Sequence, residues 1–187
     1  GYYAKQMGLP VGRLVCASNK NNVLTDFLRT GTYDARRTFY KTTSPSMDIL
    51  ISSNLERLLY HVSGSSEKVT GWMQELSATG KYTVDAEMLA KIQQSFAAGY
   101  ADDADGAAEI KARFDGDHYL CDTHTAVAFR VAETRRTDAP MVVLSTASPF
   151  KFPRDVLTAL GGEAPASDFA AMAALTAETS AEAPASL

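Results

Sequence analysis

The sequence predicts an α/β fold, and three observations carry that expectation. Two short apolar runs, Arg13-Leu14-Val15-Cys16-Ala17 and Met141-Val142-Val143-Leu144, follow a Gly or Pro and end in small polar residues. That is the pattern of strands buried on both faces. Each run is followed, after a polar turn, by apolar residues at helical spacing, giving strand, turn, helix. Between them, residues 65–116 read as a largely helical insertion.

The elements follow in order. Tyr2 to Met7 has helical character and is stopped by Gly8 and Pro10, which reads as the end of a helix that starts upstream of Gly1. The first strand then runs into Ser18-Asn19-Lys20-Asn21-Asn22. Asn21 or Asn22 is the expected cap of a helix carrying Val23, Leu24, Phe27 and Leu28 and closed by Gly31. In open α/β sheets ligands gather at the carboxyl ends of strands, where Asn19 is expected. Residues 42–46 form a loop, and Met47-Asp48-Ile49-Leu50-Ile51 is a strand candidate. Ser53 or Asn54 is the expected cap of a helix with Leu55, Leu58, Leu59 and Val62 on one face.

Within the insertion, Val69, Trp72, Met73 and Leu76 repeat at helical spacing, as do Met88, Leu89, Ile92 and Phe96. Asp85 falls in a first helical turn, where negative charge suits the dipole. Asp102-Asp103-Ala104-Asp105-Gly106 reads as a solvated helix start, because the later ligands of a calcium loop are missing. Asp122-Thr123-His124-Thr125 opens a helix, with capping as its simplest role. Residues 141–144 are the clearest strand, ending at Ser145 and Thr146. A helix from Pro153 to Leu160 follows, with Gly161 beyond its end. The last stretch, 163–187, is Ala-rich and reads as one short helix and a tail.

Composition narrows the function classes. With 187 residues and 45% hydrophobic content, the chain suits one ordinary domain or part of a larger one. The 18 Lys and Arg against 22 Asp and Glu give a net charge of -4, which argues against a nucleic-acid partner. No apolar run reaches the ~18 residues of a membrane span, and no secretory leader is visible. Cys16 and Cys121 cannot make a disulfide framework, so a reducing cytoplasm is the expected compartment. His61, His118 and His124 lie too far apart for a helical metal pair, and no metal site is expected. The chain has no P-loop, no dinucleotide fingerprint and no nucleophile elbow. Asp122, His124 and Ser145 are triad residue types, but type alone does not make a triad.

Six segments together resemble threonine synthases, enzymes that use pyridoxal 5'-phosphate (PLP). They are residues 1–10 (GYYAKQMGLP), 17–24 (ASNKNNVL), 43–49 (TSPSMDI), 52–58 (SSNLERL), 122–126 (DTHTA) and 144–153 (LSTASPFKFP), in the family's order. The resemblance implies the C-terminal part of a two-domain fold like that of the tryptophan synthase β chain, spanning residues 1–162. The implied reaction is that of a carbon–oxygen lyase acting on phosphates: O-phospho-L-homoserine and water give L-threonine and phosphate. It also implies that the Thr146 hydroxyl faces the pyridine nitrogen of PLP. Asn19, Ser44, Asp48, Asn54 and His124 fall in family motifs and are expected around the active cleft.

The departures matter as much. The family's Schiff-base lysine motif matches none of the eight lysines here, and its glycine-rich phosphate loop precedes the position of Gly1. Asn22, Leu55 and Thr123 also differ from the family's common residues. The expected partner is therefore the missing N-terminal half of the same protein, and this chain alone is expected to be inactive, with no catalytic residue of its own. Two alternatives remain: another PLP-dependent lyase of the same fold, and a non-catalytic α/β binding module.

Overall fold

The structure is a computed structural model and describes residues 1–185. The last two residues of the expected tail, 186–187, lie outside the described residues. The chain divides into two compact units, one built from Gly1–Tyr40 and Asp48–Gly99, the other from Lys41–Met47 and Tyr100–Leu187.

The first unit contains α1 (Tyr2–Gln6), β1 (Leu14–Ser18), α2 (Val23–Thr30), β2 (Thr32–Asp34), α3 (Ser53–Ser63), α4 (Ser66–Thr79), β3 (Lys81–Thr83), α5 (Ala86–Ser95) and β4 (Phe96–Tyr100). β1 pairs with β4, and β2 pairs antiparallel with β3, with Tyr33 opposite Tyr82. Placed as a directly facing pair, these two rings stack 5.3 Å apart. Phe27 of α2 packs on both rings, and Trp72 of α4 stacks on Tyr82. Leu55, Leu59, Met88 and Ile92 complete this core. Gly31 sits between α2 and β2 at φ 78°, and a Cβ there would press on Leu89 and Val84 at 3.4 Å. The left-handed backbone lets the chain turn straight from helix into strand.

The two stacked tyrosines differ at their hydroxyls. Tyr33 donates to the Leu50 carbonyl and accepts from the Ser52 amide, both at 2.9 Å. The Tyr82 hydroxyl is buried without a hydrogen-bond partner among the described residues, and burial pushes its pKa well above the ordinary tyrosine range. An unsatisfied buried hydroxyl costs about 1–3 kcal/mol. Tyr82→Phe is therefore expected to raise the unfolding free energy by roughly 1 kcal/mol in urea melts. A drop of that size would reveal a partner that the geometry lacks.

The second unit contains α6 (Asp103–Asp117), α7 (Thr123–Glu133), α8 (Pro153–Leu160) and α9 (Asp168–Thr179), with 3-10 turns at Pro45–Met47 and Pro149–Lys151. Ile110, Cys121, Ala126, Phe150, Val156, Leu157, Ala171 and Leu175 form its core. Burial, with Asp122 alongside, pushes the Cys121 thiol up to about 12, as expected of an inert packed cysteine. Arg113 joins α6 to α7 by bonding Glu109 at 2.7 Å, Asp117 at 2.9 Å and Glu133. No helix among the described residues is long and apolar enough to cross a membrane.

Several local expectations change. Residues 141–144 form no strand: Val142 and Leu144 are 79% and 70% exposed. High β-propensity cannot make a strand without a neighbour to take its backbone hydrogen bonds. The candidate strand at 47–51 is a 3-10 turn followed by irregular chain, its backbone drawn aside where Leu50 bonds Tyr33. The helical insertion holds two short strands, β3 and β4, which a helix-period reading absorbs into their flanking helices. Asn22 holds the cap position of α2, but its side chain accepts from Arg37 at 2.9 Å and makes no cap bond. The cap residue of α3 is Ser52, one before the expected pair. Asp85 caps α5 through the Met88 amide, and Asp102 forms a capping box with Asp105.

Candidate functional site

Each unit carries one dense polar cluster. In the first unit it lies just past the end of β1. Asn19 and Asn21 are 1% and 2% exposed, so their amides need internal partners. The Asp48 carboxylate supplies one, with Oδ1 accepting from Asn19 at 2.7 Å and from Asn21 at 3.0 Å. Asn19 Oδ1 in turn accepts the Asn21 amide at 2.9 Å, a local turn that two asparagines at this spacing favour. Asn21 then brackets the Tyr40 backbone, donating to its carbonyl at 2.8 Å and accepting its N–H at 2.9 Å. The strand end is thus tied to chain segments some twenty to thirty residues away in sequence.

In the second unit, Asp122 caps α7 and is fully buried. Its Oδ1 accepts from the backbone of His124 at 2.8 Å and of Thr125 at 3.2 Å, and His124 Nδ1 lies 3.2 Å away. The Thr125 hydroxyl bonds the other oxygen. Burial alone would push this carboxyl up, but the four hydrogen bonds from His124 and Thr125 hold it below its ordinary value. His124, only 7% exposed, lies with its ring 4.8 Å from that of Phe152, and its Nε2 is 3.0 Å from the Ser46 amide. Ser44 is buried on the same turn, with its hydroxyl 3.2 Å from that of Thr42. Thr43 bonds Asp103 through both backbone and hydroxyl.

The structure therefore brings Asn19 to Asp48, and His124 to the turn that carries Ser44. Within the first unit, Asn54 stands apart from the Asn19–Asp48 cluster. Asn54 is exposed on the first turn of α3, bonds Arg57, and borders a hollow of about 240 Å³ lined by Tyr2, Tyr3, Cys16, His61 and Phe96. Thr146 is exposed at the end of the unpaired segment 141–144. A second hollow, about 380 Å³, lies between Lys151, Arg154, Asp155 and Asp168. Sequence reasoning gave no site role to Asn21, Ser46, Asp103 or Thr125. The doubled asparagine of 21–22 is a visible signal for Asn21, and Thr125 bonds Asp122 within the same helix start; Ser46 and Asp103 act through contacts that sequence neighbours do not announce. Among the described residues, no three His, Cys, Asp or Glu side chains gather as metal ligands.

The comparisons with known proteins agree with one another. A family model described as "Threonine synthase, C-terminal" matches residues 125–183. The threonine synthase-like 1 protein of Pongo abelii is 38% identical over 161 residues, which is 84% of this chain and 22% of that protein. The threonine synthase of Pseudomonas aeruginosa is 39% identical over 169 residues, 89% of this chain and 36% of its own length. A crystal structure of PLP-bound threonine synthase from Brucella melitensis superposes with a TM-score of 0.83 at 44% identity, covering 87% of this chain and 35% of that one. The chain thus spans about a fifth to a third of the length of the relatives it matches. Sequence, fold and family model all match this chain to the C-terminal part of threonine synthases.

Proposed function

We propose that this chain is the C-terminal portion of a PLP-dependent carbon–oxygen lyase that converts O-phospho-L-homoserine and water to L-threonine and phosphate. The observation that carries the reading is the likeness to the PLP-bound Brucella melitensis enzyme over 87% of the chain. When bound, PLP supplies an electron sink for carbanions formed on an amino-acid substrate. The Thr146 hydroxyl is our candidate partner for its pyridine nitrogen. A neutral hydroxyl can serve an unprotonated ring nitrogen, whereas a carboxylate would favour the protonated one.

The residues present fit the cofactor in part. Thr146 is polar and open, as a ligand partner must be. None of the eight lysines is buried, whereas a lysine that attacks a carbonyl at neutral pH usually owes its reactivity to desolvation or a neighbouring cation. The covalent anchor is therefore assigned to a lysine upstream of Gly1 in the same polypeptide. The exposed apolar side chains of 141–144 support that assignment, since they suit a strand completed by upstream chain. The Asn19–Asp48 cluster and the His124 turn are read as rigid polar supports for ligand contacts, each within its own unit. The two free cysteines suit a reducing compartment, and we assign the protein to the cytoplasm.

Borohydride reduction of the protein from its native source, followed by peptide mapping of the pyridoxyl label, tests the reading. The expected label falls on a lysine upstream of Gly1. A label only on one of the eight lysines here, or no label at all, overturns it. The 187-residue chain mixed with PLP and O-phospho-L-homoserine is expected to release no phosphate.

A further inference from the structure

We propose that His124 is a positioning residue: it holds the turn at residues 44–47 through Nε2 and carries its only ring proton on Nδ1. The assignment follows from what its neighbours can do. The Ser46 backbone N–H can only donate, so the Nε2 it meets at 3.0 Å must present a lone pair. The Asp122 carboxylate, held in its ionised form, can only accept, so the Nδ1 at 3.2 Å must carry the proton. The Thr123 hydroxyl, 3.4 Å from Nδ1, is free to rotate and imposes nothing. One ring form meets both demands, the neutral Nδ1–H tautomer.

The consequence is a chain of dependence. Asp122 caps α7, and the same oxygen that takes the cap bonds sets the tautomer of His124. That tautomer leaves Nε2 able to grip Ser46. The turn is closed by the Met47 amide on the Ser44 carbonyl at 2.9 Å and held at its other end by Asp103. It is thus fixed from α6 and α7 together. Only the link from this turn to catalysis rests on the function proposed above; the tautomer and the grip do not.

The test uses the 187-residue chain labelled with ¹⁵N at histidine. His124→Gln identifies the His124 signals among the three histidines by their loss. Wild-type His124 is expected to show a protonated Nδ1 and a bare Nε2; a proton on Nε2 overturns the proposal. Hydrogen exchange gives the second readout. The Ser46 amide is expected to exchange about tenfold faster in His124→Phe, which has no acceptor. In His124→Gln the side-chain oxygen reaches the Nε2 position and is expected to restore slow exchange. Unchanged exchange in His124→Phe overturns the proposal. If His124→Phe does not fold, the wild-type tautomer and the glutamine variant decide. A failed borohydride experiment beside an Nδ1–H His124 would remove the PLP reading and leave this one standing.

Discussion

Asp122→Ala is expected to lower the unfolding free energy by about 3 kcal/mol, the largest effect of any single change considered. Loss of an N-cap acceptor costs about 1 kcal/mol. The carboxylate also serves the Thr125 hydroxyl and His124 Nδ1, both on buried residues. Each donor left unsatisfied costs about 1 kcal/mol or more. With its acceptor gone, the His124 ring is free to move its proton to Nε2, and the grip on Ser46 goes with it. The effect depends on pH in a stated sense. The folded carboxyl lies below its ordinary value of 3.8, so its contribution is complete above that value. It is lost as the pH falls through the lowered folded value. Urea melts of the two proteins should therefore differ by a constant amount from neutral pH down to about 4 and converge below it. A difference that grows on acidification would contradict the assignment of Asp122 as an ionised cap.

Asp48→Ala is the second. It removes one oxygen that serves two buried amides, Asn19 and Asn21. Asn21 keeps the Tyr40 carbonyl as a partner. Hydrogen bonds to a charged acceptor contribute about 1.5–3 kcal/mol, and a loss of roughly 2 kcal/mol is expected in urea melts. Asp48→Asn keeps a carbonyl oxygen and is expected to lose less than half of that. Equal losses in the two variants would mean that the negative charge, and not the acceptor, is what the site requires.

Helix capping shows how far local chemistry reaches. Asp85, Asp102 and Asp122 all stand where a helix N-terminus needs an acceptor within three residues, and all three cap. The amphipathic faces of α2 and α3 and the glycines that close them are equally local, since each depends on residues within one or two turns. Asn22 marks the limit. Its type favours a cap, but Arg37, fifteen residues on, takes its side-chain oxygen. Propensity states what a side chain can do, and a stronger partner brought by the fold decides what it does.

The sequence alone therefore carried the α/β class, the main helices, the Asp122 cap and, through six ordered motifs, the resemblance to threonine synthases. Those properties live in spacings of a few residues or in the order of short segments. The tertiary structure alone decided which polar residues meet. Asn19 finds Asp48 across 29 residues, and His124 finds the Ser46 amide across 78. It also decided that 141–144 stays unpaired, with Val142 and Leu144 left exposed. A strand is completed by its neighbours, and a histidine tautomer by the donor and acceptor on either side of its ring; neither is a property of the residue's own stretch of chain.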